Sequence, residues 1–124
     1  MKILIVDDEM EWLEALVERL ALRGIEAVGV PTGAEAMAAV RREAFDVVLL
    51  DVKMPGMGGL KVLKAIKDAL PDQKVILITG HGSRRDADEG VRLGAYDYLM
   101  KPVDIDTLLA ILRRAAGSEE GNGR

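Results

Sequence analysis

The chain has no cysteine, which removes disulfides, thiolate metal sites and cysteine nucleophiles at once. It has a single histidine, His81, so no imidazole pair exists to hold a metal. No apolar run approaches the roughly 20 residues that a helical membrane span requires. The N-terminus passes straight into a strand-like segment and not a signal peptide, so a cytoplasmic protein without membrane attachment is expected. A basic surface is missing too: the net charge is −4 at pH 7, and Arg41-Arg42, Arg84-Arg85 and Arg113-Arg114 are dispersed pairs. Such pairs read as solvated helix faces, and no direct nucleic-acid contact is expected of this domain. Six methionines do not make a cofactor site; Met54 and Met57 fall in one loop, as packing or as a partner surface.

What is present is enough for one domain with a real core. The 124 residues are 49% hydrophobic. Strand-like and helix-like segments alternate five times without an internal linker. Strands are expected near 2–6, 25–30, 46–50, 74–78 and 96–100, and helices near 9–22, 33–43, 59–70, 83–93 and 104–116. Trp12, Leu13, Leu16, Val17 and Leu20 recur at helical spacing, as do Leu60, Leu63, Ile66, Ala69 and Leu70. Gly24 and Gly94 stand where a left-handed helix stop is wanted, and Pro71 closes the third helix. Asp104 is placed to cap the fifth, with Ile105, Leu108, Leu109 and Leu112 as its stripe. Residues 117–124 carry no apolar side chain and read as a flexible tail or linker stump behind a domain of residues 1–116.

The strands differ in character. Runs 3–6, 47–50 and 75–78 are uninterrupted apolar segments, as central parallel strands covered on both faces should be. Glu26 and Asp97 mark the other two as edges. With right-handed crossovers this gives the order 2-1-3-4-5, a doubly wound, flavodoxin-like α/β fold of (βα)5 type with five parallel strands. The apolar runs then end on Asp7-Asp8, Asp51, Thr79 and Lys101-Pro102 along one edge, the edge where open α/β sheets place ligands.

This constellation resembles the receiver domain of bacterial two-component response regulators. The likeness rests on Asp7-Asp8, the run from Asp51 to Gly59, Thr79-Gly80 and Lys101-Pro102, in order and each at a strand end. It covers residues 1–116. It implies that Asp51 accepts a phosphoryl group from a partner histidine kinase or phosphotransfer protein, and that Tyr98 is a switch aromatic. It also implies a cis Lys101–Pro102 bond, a metal-ligating carbonyl at Lys53, and an influence of His81 on phosphoryl lifetime.

The chemistry agrees with the likeness. A carboxylate is a competent nucleophile toward phosphorus. Three clustered carboxylates repel one another by roughly 3 kcal/mol per pair at ~5 Å and a dielectric of 20, so a hard dication is expected, and Mg2+ suits oxygen ligands best. Asp8 and Asp51 are the expected direct ligands, with Asp7 a ligand or water-mediated partner; Asp8 is equally placed to cap the first helix. Lys101 is expected to pair with Asp51 and then with a phosphoryl oxygen, and Thr79 to donate its hydroxyl to that group.

The leading expectation is therefore a signalling switch and not a turnover enzyme. Its altered face would be the fourth helix, fifth strand and fifth helix, offered to an output protein, a fused effector domain or a second copy. Two other classes compete. An aspartate-nucleophile phosphatase usually needs an acid two residues beyond the nucleophile, and Lys53 stands there. A receiver-shaped module unable to take phosphate would not need its acceptor, acidic pair, threonine and lysine intact.

Overall fold

The structure, a computed structural model, describes residues 1–54, 58–80 and 84–117. Five strands alternate with five helices: β1 (Lys2–Val6), α1 (Met10–Ala21), β2 (Glu26–Val30), α2 (Gly33–Arg42), β3 (Val47–Asp51), α3 (Gly59–Ala69), β4 (Lys74–Thr79), α4 (Arg84–Arg92), β5 (Asp97–Met100) and α5 (Ile105–Ala115). The strands form one sheet in the order β2-β1-β3-β4-β5, and every pairing is parallel. This is the flavodoxin-like (βα)5 arrangement expected from the strand characters.

Strand periodicity divides the core into two layers. Leu4, Val6, Val48, Leu50, Val75 and Leu77 point to the face covered by α2 and α3, where Met37, Val40, Val62, Leu63 and Ile66 meet them. Their neighbours Ile3, Ile5, Val47, Leu49, Ile76 and Ile78 point to the face covered by α1 and α5, against Leu13, Leu16, Leu20, Leu108 and Leu112. Alternate residues are buried on opposite faces because successive strand side chains are antiparallel. Each fully buried Leu or Ile contributes about 1.5–3 kcal/mol of transfer free energy, so these two layers fix the register.

Several boundaries differ from expectation by a residue, and one difference matters. β3 and β4 each run one residue further, so that Asp51 and Thr79 are the last residues of their strands. In α3 the buried stripe is Val62, Leu63 and Ile66, whereas Leu70 lies beyond the helix end and is exposed. Asp104 does cap α5, accepting from the Thr107 amide at 2.9 Å. Asp8 does not cap α1. The N-cap position is Glu9, without a side-chain capping bond, and it is Asp7 Oδ1 that accepts from the Glu9 amide at 2.8 Å. Asp8 is exposed and keeps its carboxylate for other partners.

Gly59 brings α3 against the end of β3. A Cβ there would stand 2.4 Å from the Asp51 carbonyl oxygen and 2.6 Å from Val52 Cα, both backbone atoms that the sheet holds in place. Gly59→Ala is expected to lower stability by about 1–3 kcal/mol in urea unfolding. Gly24→Ala meets nothing within 4 Å and bears only its positive φ of 78°, so its loss should be nearer 1 kcal/mol. Equal losses at both positions would mean that close packing at Gly59 is not the constraint.

Candidate functional site

Parallel register assembles the site. Val6 pairs with Leu50 and Asp51 pairs with Ile78, so Asp7, Asp51 and Thr79 leave neighbouring strands at nearly the same height. The ladder continues past the strand ends: the Asp7 amide donates to the Val30 carbonyl at 3.1 Å, Val52 to Ile78 at 2.9 Å, and Lys101 to Thr79 at 2.7 Å. The backbone of this edge is pinned before any side chain interacts.

Asp7, Asp8 and Asp51 each offer a carboxylate oxygen, and these oxygens lie within 4.8 Å of one another. Asp7 and Asp51 are buried, at 1% and 6% exposure, while Asp8 faces solvent. Burial raises the Asp51 pKa from 3.8 to about 6; the neighbouring Asp7 charge adds to the rise, and Lys101 and a 3.2 Å hydrogen bond from the Lys53 amide oppose it. Burial also raises Asp7, against its bonds from the Glu9 amide and Lys101. The donor set is carboxylate oxygen throughout, which suits a hard dication such as Mg2+.

Lys101 departs from expectation. Its ammonium donates to Asp7 Oδ2 at 3.1 Å and to Glu9 Oε1 at 2.5 Å, and it stands 4.6 Å from the centre of the Trp12 ring. It makes no ion pair with Asp51, which it influences only through space. Two carboxylates and an aromatic face hold a cation better than one buried carboxylate, and all three come from the β1–α1 segment. Glu9 and Trp12 are the site residues that sequence reasoning missed. Their signal was available: Glu9 follows the acidic pair directly, and Trp12 follows one helical turn later. Its helical spacing with Leu13, Leu16 and Leu20 points only to the core stripe, where Trp12 does pack in part.

The remaining residues are placed as follows. The Lys101–Pro102 peptide bond is cis. Thr79 is fully buried, and its hydroxyl donates to the Gly80 carbonyl at 3.3 Å. Lys53 is exposed, with its amide turned to Asp51. Tyr98 on β5 is half-buried and packs against the α2–α3 layer. Met54 is core packing. His81, Met57 and residues 118–124 lie outside the described residues.

The response regulator receiver domain model matches residues 3–113. This chain belongs to that family. It is 41% identical over 124 residues to the response regulator protein FleR of Pseudomonas aeruginosa, covering 96% of this chain and 26% of the relative. To the DNA-binding transcriptional regulator NtrC of Escherichia coli it is 40% identical over 111 residues, covering 90% of this chain and 24% of NtrC. The chain thus spans about a quarter of the curated relatives it matches. Among solved structures, the receiver domain of NtrX from Brucella abortus superposes with a TM-score of 0.89 at 34% identity, covering 94% of this chain and 98% of that one. A response regulator receiver domain protein from Clostridium thermocellum gives 0.90 at 32% identity, with 96% of each chain covered. Among the described residues no helix is long and apolar enough to cross a membrane.

The raised Asp51 pKa has a consequence for the receiver's stability. The native state holds the Asp51 proton more tightly than the unfolded chain, so this residue's contribution is full below pH 4 and is lost as pH rises through about 6. In buffer free of divalent ions, Asp51→Asn is expected to be more stable than wild type at pH 7, by on the order of 2 kcal/mol. The advantage should shrink toward pH 4. A variant less stable than wild type at pH 7 would show that the buried charge is not a burden.

Proposed function

We propose that this receiver is a cytoplasmic phosphorylation-dependent switch whose acceptor is Asp51. The observation that carries this is the convergence of Asp51 with Asp7 and Asp8 at the end of the sheet, with the Lys101 ammonium beside them. Asp51 Oδ attacks the phosphorus of a partner kinase's phosphohistidine. The P–N bond breaks, its electron pair leaves with the imidazole, and an aspartyl phosphate remains.

Asp8 and Asp51 would hold Mg2+, with Asp7 as a ligand or water-mediated partner and the Lys53 carbonyl completing the protein's share. Bound there, the ion offsets the carboxylates' repulsion and the charge of the transferring group. Lys101 neutralises a phosphoryl oxygen. Thr79, whose present bond to Gly80 is long and easily given up, donates its hydroxyl to another. Lys53 stands where a small-molecule phosphatase would need an acid, which favours a signalling role over a turnover enzyme.

The signal would leave through α4, β5 and α5. Movement of Thr79 toward the phosphoryl group frees space above β4, and the half-buried Tyr98 ring moves further inward. Exposed Val91, Leu93, Tyr96 and Met100 give that face the apolar surface a partner or second copy would cover. Residues 1–116 would be the receiver, and 117–124 a tail or linker toward an effector. FleR and NtrC being about four times longer, with NtrC described as a DNA-binding transcriptional regulator, supports a fused transcriptional output.

With Mg2+ and acetyl phosphate, intact-mass measurement should show one added phosphate on wild type and none on Asp51→Asn. Labelling of that variant at the wild-type rate would reassign the acceptor. Asp8→Ala should need at least about tenfold more Mg2+ for half-maximal labelling. Thr79→Ala should still take phosphate yet lose most of the amide shifts that a phosphoryl mimic induces over residues 84–100. Undiminished shifts there would refute the coupling through Thr79.

A further inference from the structure

We propose that Glu9 and Trp12 form a holding position for the Lys101 ammonium, making Glu9 a positioning residue that governs how readily Lys101 reaches a phosphoryl group; this rests on Asp51 being the acceptor. The ammonium is 2.5 Å from Glu9 Oε1 and 4.6 Å from the Trp12 ring centre, with Asp7 Oδ2 at 3.1 Å. Glu9 and Trp12 lie three residues apart at the start of α1, so they share a helical face and flank the cation together.

Asp7 and the other two partners differ in kind. Asp7 is 1% exposed and belongs to the carboxylate cluster, so Lys101 can keep that contact while serving Asp51. Glu9 has a side chain 63% exposed and contacts Lys101 from outside the cluster. A lysine that turns to a phosphoryl oxygen on Asp51 must give up Glu9 and the ring face. The competition is modest, because a largely exposed ion pair shifts an equilibrium only about two- to fivefold, and an exposed cation–π contact does about the same. Glu9 therefore tunes the site without blocking it.

Two measurements test this. Glu9→Gln should accelerate Asp51 labelling by acetyl phosphate and Mg2+ about two- to fivefold. The same substitution in a Lys101→Gln background should have no effect. Acceleration that persists there would mean that Glu9 merely repels the anionic donor, and would overturn the proposal, as would an unchanged or slower rate in Glu9→Gln itself.

The second readout does not depend on turnover. Trp12 is the only tryptophan, so the Lys101 side-chain methylene protons should carry its upfield ring-current shift in the free protein. Adding Mg2+ and beryllofluoride should abolish that shift in wild type but not in Asp51→Asn, and Glu9→Gln should weaken it before any addition. Lysine protons at ordinary positions in the free protein, or still shifted after wild type has bound the mimic, would overturn the holding position. Failure of wild type to take phosphate or mimic at all would instead remove Asp51 as acceptor, leaving the free-protein shift to decide whether Lys101 is held.

Discussion

Everything at this site depends on three carboxylates held closer than their charges prefer. Their oxygens lie within 4.8 Å of one another, and two of the three residues are buried. A folded chain sustains such repulsion only if its backbone is fixed by something stronger. Here that is the parallel ladder, whose bonds extend beyond β1, β3 and β5 to Asp7, Val52 and Lys101, and whose register is set by two apolar layers. Stability generated across the whole sheet is thus spent at one edge. The raised Asp51 pKa is the local mark of that expense.

Charge compensation is shared unevenly. The Lys101 ammonium goes to Asp7 and Glu9, leaving Asp51 with a backbone amide from Lys53 and a through-space attraction. This suits the acceptor role proposed for Asp51. A nucleophilic carboxylate already tied to a lysine would be less reactive toward phosphorus, and a lysine kept one contact away can meet the phosphoryl oxygens as they arrive. The same logic applies to Thr79, whose hydroxyl rests on the neighbouring Gly80 carbonyl at 3.3 Å and not on Asp51.

This chain belongs to the receiver family, whose model matches residues 3–113. It spans about a quarter of FleR and of NtrC, yet nearly all of the isolated NtrX receiver. The domain has its own two-layered core, and Asp7, Asp8 and Asp51 of the carboxylate cluster stand at the edge of its sheet. The α4–β5–α5 surface is the proposed seam toward an output.

Most of the fold was legible because strand burial writes itself into composition. Uninterrupted apolar runs marked β1, β3 and β4 as central, and Glu26 and Asp97 marked β2 and β5 as edges, so that the order followed. The acidic cluster was legible for the same reason: residues that end parallel strands must share an edge. Side-chain partnership was not. Whether Lys101 turns to Asp51 or to Asp7, whether Asp8 or Asp7 receives the first amide of the α1 segment, and whether Tyr98 is exposed are settled by differences of a few ångströms among competing polar groups. Sequence determined the elements, their order and the residues brought to one edge, because burial periodicity is local and repeated. Only the tertiary structure decided who pairs with whom, because several carboxylates and one ring compete for a single flexible ammonium.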